Sequence, residues 1–119
     1  MRIILTALLI TFATQALADY KDGDNFKCKS ELAVRVFQKL HQLSEMKPQE
    51  FTLTIAQKSI KFYSKGHLSA TNMKTHYLVN SSVTGYNEYS SFSLDFGKFH
   101  YADAYSFGAA MITGTCEKL

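Results

Sequence analysis

The side chains best suited to chemistry in this 119-residue chain are four histidines, ten acidic residues and two cysteines. No two of His41, His67, His76 and His100 have the HxH or HExxH spacing that aims two imidazoles at one metal. His41 lies beside Leu40 in a helix-like pattern, and His67 follows Gly66 in a turn-like stretch. His76 and His100 alternate with strand-type residues. If His76 meets His100 across neighbouring strands, or His100 meets Asp103, a weak zinc or copper site results. One expectation is therefore a small-ligand or metal carrier using His76, His100 and Asp103. The plainer reading is four surface histidines.

Acid–base or nucleophilic catalysis has less to draw on. Glu88, Asp95 and Asp103 are available, and Ser81-Ser82 and Ser90-Ser91 supply hydroxyls. A hydrolase needs a nucleophile, a base and an oxyanion donor brought together, and the chain has no GxSxG elbow and no SxxK. Asp95, beside Phe96, reads as part of a solvated strand face. The expectation is a protein that is not an enzyme and uses no cofactor.

Tyrosines offer more. Phe51 to Phe107 holds six Phe and six Tyr, and the chain has no Trp. Tyr86, Tyr89, Tyr101 and Tyr105 cluster around Gly85-Asn87 and Ala102-Ser106. Exposed tyrosines on a rigid β scaffold make a binding face for protein, peptide or glycan, because each ring pairs an apolar body with a polar tip. The competing reading is four half-buried rings with hydroxyls in water.

Two cysteines, Cys28 and Cys116, stand near the two ends of the 101-residue stretch from Asp19 to Leu119. With no CxxC spacing and no adjacent His, they read as one structural disulfide rather than a redox or metal pair. Closing so long a loop contributes roughly 4–5 kcal/mol in the chain-entropy model.

Residues 1–18, MRIILTALLITFATQALA, set the address. A positive start, an apolar run from Ile3 to Ala13 and Ala16-Leu17-Ala18 form a cleavable secretory signal. The run is shorter than the roughly 20 residues that span a bilayer. Residues 19–119 then form one domain, periplasmic or secreted, with no membrane segment after cleavage. Loss of Arg2 lowers the formal charge from +3 to +2, with twelve basic and ten acidic side chains scattered and no basic stripe. Nucleic acid is not expected as a partner on that ground.

The elements that must position these residues are mostly strands. Phe51, Leu53 and Ile55 alternate with Thr52, Thr54 and Ala56, and Ile60 and Phe62 continue after a polar break. Thr75–Val79 is a further strand, and Asn80–Asn87 (NSSVTGYN) is rich in turn formers. Phe92, Leu94 and Phe96 alternate with polar residues until Gly97, and Phe99 and Tyr101 resume the pattern. In Ala109–Cys116, residues Ala110, Ile112, Gly114 and Cys116 share the inward face. Ser30–Met46 places Leu32, Ala33, Val36, Phe37, Leu40 and Leu43 on one helical arc, with Ser30 as N-cap and Pro48 as stop. A strand through Leu32–Phe37 competes with that helix. Asp19–Asn25 (DYKDGDN) reads as a loose end, and Asn80-Ser81-Ser82 matches the N-glycosylation triplet.

The expected fold is mainly antiparallel β, a small barrel or sandwich of about six strands with one N-terminal helix; α+β is the alternative label. The signal, Phe26-Lys27-Cys28, Phe51-Thr52-Leu53-Thr54-Ile55 and Gly114-Thr115-Cys116-Glu117-Lys118 together resemble small one-disulfide periplasmic β-domain proteins of Gram-negative bacteria, a family of unknown function. The resemblance implies location and a stapled β fold, and brings no catalytic or binding residues. The functional expectation is an exported non-enzymatic module that binds a protein or glycan, one concrete form being an inhibitor of a lytic or proteolytic enzyme. Intact-mass analysis of protein recovered from its secretory compartment should give the mass of residues 19–119 less two hydrogens; a retained leader or a pair of free thiols would contradict this.

Overall fold

A computed structural model of the protein describes residues 19–37, 42–63, 72–106 and 108–119. Residues 1–18, read above as a secretory signal, lie outside these, as do His41 and His67. Nine strands run in chain order: β1 Asn25–Phe37, β2 Gln42–Glu45, β3 Glu50–Ile55, β4 Ser59–Tyr63, β5 Asn72–Val79, β6 Ser82–Tyr86, β7 Ser90–Asp95, β8 Lys98–Tyr105 and β9 Gly108–Lys118. All pairings are antiparallel. From β3 to β9 each strand pairs with the next, and β9 pairs back onto β1, which pairs with β3. Eight strands thus close into a barrel with no free edge on that circuit. β2 stands outside the circuit, paired to the upper half of β1.

Side-chain alternation makes the barrel interior. Phe26 and Cys28 on β1 point in, with Leu53 and Ile55 on β3, Ile60 on β4, Met73 on β5, Val83 on β6 and Leu94 on β7. Phe51, Phe62, Phe92 and Phe99 form a closed ring of contacts across the lumen, with centroids 5.0 to 6.1 Å apart. Lysines, threonines and serines alternate outward. Apolar inside and polar outside is the reverse of a membrane-spanning barrel, whose apolar band faces lipid. No helix among the described residues is long and apolar enough to cross a membrane.

The seam between β1 and β9 is the longest in the molecule, running from Phe26↔Lys118 to Phe37↔Gly108. Cys28 and Cys116 face each other across it and form the expected disulfide. Gly114 sits directly beside it. A Cβ there would lie 2.0 Å from the Lys29 carbonyl oxygen and 2.8 Å from the Ser30 Cα. The two backbones are too close for any side chain.

Three expectations are corrected. Ser30–Met46 is not helical where it is described: Ser30–Phe37 continues β1, and Gln42–Glu45 is β2. A register shift between Ser30 and Leu32 flips the alternation, so Ala33 and Arg35 face inward and Val34 and Val36 outward. With partners on both edges, the β-branched pair gains more as strand than the apolar arc gains as helix. Pro48 falls in the gap between β2 and β3, where Ser30 donates its N–H to the Gln49 carbonyl and its hydroxyl accepts the Gln49 N–H.

Among the described residues the strand count is nine rather than about six: β1 and β2 stand where a loose end and a helix were expected, and NSSVTGYN is a turn only at Asn80-Ser81, after which Ser82–Tyr86 is β6. Asn80 supplies the turn with a left-handed φ of 54°. The N-terminal stretch is not loose. Tyr20 is buried at the barrel's lower end, edge-on to Phe26, with its N–H donated to the Asn80 carbonyl and its hydroxyl accepting the Gly97 N–H. It closes the floor. Gly97 itself forms a two-residue hairpin turn with Phe96, both at positive φ.

Gly114→Ala should force β1 and β9 apart and lower stability by about 2–3 kcal/mol or more, as overpacked sites do; an unchanged urea midpoint would show that the seam can spread freely.

Candidate functional site

The barrel's upper end is built differently from its floor. On one side β1, β8 and β9 rise past their neighbours, and inward alternation continues along them. Position after position, the apolar lumen gives way to polar groups: Tyr101 and Asp103 on β8, Ser90 on β7 and Arg35 on β1. The Tyr101 hydroxyl donates to Asp103 Oδ2 at 2.8 Å, and the Arg35 guanidinium lies 3.5 Å from the same oxygen. The Asp103 side chain is 2% exposed. Its Oδ1 is covered and has no hydrogen-bond partner among the described residues. A buried carboxylate of this kind is tolerated only because charge and hydrogen bonds compensate its desolvation.

Burial, first, and then the carboxylate of Asp103 push the Tyr101 phenol well above the usual tyrosine value, against a smaller opposing effect of the Ser90 hydroxyl. Ser90 is fixed in turn: its N–H and hydroxyl both donate to the Asn87 side-chain oxygen, at 2.8 and 2.5 Å. The result is a hydrogen-bonded base for the mouth, running from Asn87 through Ser90 and Tyr101 to Asp103 and Arg35.

Above that base stand Tyr89 and Tyr105, ring centroids 5.0 Å apart and 51% and 39% exposed. Tyr89 is anchored through its carbonyl, which accepts the Ala104 N–H, and its own N–H donates to Asn87. The four tyrosines grouped by sequence therefore divide. Tyr89 and Tyr105 form an exposed lip, and Tyr101 lies beneath them inside the barrel. Tyr86 is exposed on the outer wall, near His76.

The histidine arrangement does not converge on one point. His100 and Asp103 have opposite parity on β8, so the imidazole faces out and the carboxylate faces in. His76 and His100 are both outward, but three strand spacings apart through β6 and β7, about 14 Å at roughly 4.8 Å per strand. Among the described residues no three His, Cys, Asp or Glu side chains form a group able to hold a metal. His76 and His100 instead border an outer-wall groove of about 500 Å³ floored by Thr84, Ser91, Ser93 and Ala102, with Tyr86 and Met111 at its margins. Asp95 accepts the Ser82 hydroxyl, and Asn80 is exposed at its turn.

Sequence reasoning passed over Arg35. Its signal is a lone cation inside the apolar run Leu32–Phe37, which in a strand has to face either water or a buried anion. Choosing the anion required knowing that β1 and β8 flank β9.

These features define a disulfide-clamped, eight-stranded antiparallel β-barrel with a polar mouth on one side of its upper end. No protein-family profile, curated protein or solved structure matches the chain.

The Tyr101 phenol has a raised pKa in the folded state, so its contribution to stability is complete below the ordinary value of about 10 and is lost as pH climbs above it. Tyr20, raised first by burial, acts in the same direction. Denaturation curves taken just below and well above that pH should show the parent losing stability and Tyr101→Phe losing less; equal losses would mean that Tyr101 ionises without cost in the fold.

Proposed function

We propose that this protein is an exported, non-enzymatic binding module that recognises a protein or glycan with the tyrosine lip of its barrel mouth. The observation carrying the reading is the Tyr89–Tyr105 pair, half out in solvent yet seated on a buried hydrogen-bonded base. Aromatic side chains held rigid before contact lose little entropy on binding, and Tyr is enriched where interfaces concentrate their energy. A disulfide spanning the seam of β1 and β9 suits an oxidising compartment, in keeping with the secretory leader read from residues 1–18.

The carrier alternative finds less support. Phe51, Phe62, Phe92 and Phe99 fill the lumen where a lipocalin-type barrel would hold its ligand, and the histidines proposed for a metal point away from Asp103. Inhibition of a lytic or proteolytic enzyme remains one form of the binding reading, with the lip as the contact.

The test is a Tyr89→Ala, Tyr105→Ala double variant, compared with the parent in capture from secretory-compartment extract and on a glycan array. Both residues are exposed enough that the fold should survive, checked by melting temperature. Partners held by the parent should be lost by the variant; a folded variant that keeps every one of them would remove the lip from the contact.

A further inference from the structure

The groove on the outer wall is shaped by side-chain size. Two cross-strand rows make its floor, one running Tyr77–Thr84–Ser93–His100 and the other Tyr86–Ser91–Ala102–Met111. In each row two smaller side chains lie between two larger ones, so the wall is hollow in the middle and raised at both ends. The hollow holds about 500 Å³, inside the roughly 300–1,000 Å³ of small-molecule sites. Its margin on β5 and β6 is aromatic. His76 stands edge-to-face with Tyr77 and with Tyr86, at centroid distances of 5.7 and 6.3 Å.

The lining narrows what can fill this space. No Lys, Arg, Asp or Glu lines the groove. Charges stand outside it, Lys74 beyond Tyr86 and the Asp95–Lys98 pair in the row below. A charged ligand would therefore lose its hydration with no counter-charge in return. Most of the reachable surface is carbon, supplied by ring faces, Ala102 and Met111, with the hydroxyl-bearing Thr84, Ser91 and Ser93 set among it. Thr84 Oγ1 is covered and has no hydrogen-bond partner among the described residues. Covered polar groups are nearly always bonded, so an orphan at a groove floor points to a partner brought from outside.

We propose that the groove binds an uncharged oligosaccharide, with sugar rings stacked on the Tyr86 margin and sugar hydroxyls bonded to Ser91, Ser93 and Thr84. A sugar ring has an apolar C–H face and a rim of hydroxyls that donate and accept. Tyrosine offers a matching apolar face with a polar tip, and serine and threonine hydroxyls also do both. A purely apolar ligand would leave those hydroxyls unpartnered. An extended peptide fits less well, because β6 and β7 are paired on both edges and offer it no open backbone groups. From His76 to His100 is three strand spacings, about 14 Å at roughly 4.8 Å each, which suits a short chain of sugars rather than one ring. None of the lip residues lines this groove, so the two sites stand or fall separately.

The experiment is titration calorimetry of the mature, oxidised protein with chito-, cello- and malto-oligosaccharides of increasing length, with heparin and polysialic acid as charged comparators. At least one neutral series should bind, its affinity rising with length until the groove is filled. Tyr86→Ala should weaken that binding about tenfold, and so should a Thr84→Val, Ser93→Ala double variant that removes floor hydroxyls. All three side chains face outward, so both variants should melt as the parent does. Lys61→Glu, on β4 outside the groove, should bind as the parent does. The proposal is overturned if no neutral series binds, if the charged comparators bind more tightly, or if either folded variant keeps the parent's affinity. An apolar fluorophore held at Tyr86 with no saccharide bound would assign the groove to apolar ligands instead. A protein that binds no saccharide here yet captures partners through Tyr89 and Tyr105 would refute the groove and leave the lip reading standing.

Discussion

Everything in this molecule hangs on the pairing of its first strand with its last. A row of hairpins from β3 to β9 would be an open sheet with two free edges, each inviting another chain. Pairing β9 back onto β1 removes those edges from the main circuit and encloses the phenylalanine ring. The contact joins residues at the two ends of the domain, so its formation carries the largest loop-closure cost in the fold. The Cys28–Cys116 bond cancels most of that cost, because the unfolded chain is already closed. Gly114 lets the two backbones lie near enough for the seam to zip without a gap.

The seam also decides where chemistry can sit. Because β1 and β9 pair over more residues than any other neighbours, that side of the barrel rises above the rest. Inside the tall wall, alternation places Arg35, Asp103 and Tyr101 at the upper end of the hydrophobic filling, where Arg35 and Tyr101 both engage Oδ2 of Asp103. On its outside the same alternation displays Val34, Val36, Ala109 and Met111. One strand-length asymmetry thus produces both a polar mouth and an apolar outer face. The β-bulge after Ser30 makes this possible: without the shift, Ala33 and Arg35 would point outward and leave Asp103 without its counter-charge.

Much of the barrel was legible in residue order. Period-two alternation marked β3, β4, β7, β8 and β9, and the inward set on β9 followed from parity alone. The two cysteines, with no CxxC spacing and no neighbouring His, read as a staple. Legibility failed where one segment satisfies two periods. Ser30–Met46 reads first as a helical arc, with a strand through Leu32–Phe37 competing, and what decides for the strand is a pair of neighbouring edges that no local pattern reveals. It failed again at Asn80–Asn87, where turn-forming composition hides a strand, β6, whose Gly85 lies close against the Ile60 side chain and the Lys74 carbonyl.

The same division holds for the site. Residue order grouped Tyr86, Tyr89, Tyr101 and Tyr105, since aromatic content and turn signals are local properties. It counted buried Tyr101 with the exposed rings and coupled His100 to Asp103, since nearness in the chain says nothing about which side of a strand each residue takes once the register is set. By itself, then, the sequence determined a stapled antiparallel β domain with an aromatic interior, because alternation, turn chemistry and cysteine count are short-range signals. The register, the closure and the Arg35–Asp103 pair were decided only by tertiary structure, because each depends on strands remote in sequence lying side by side.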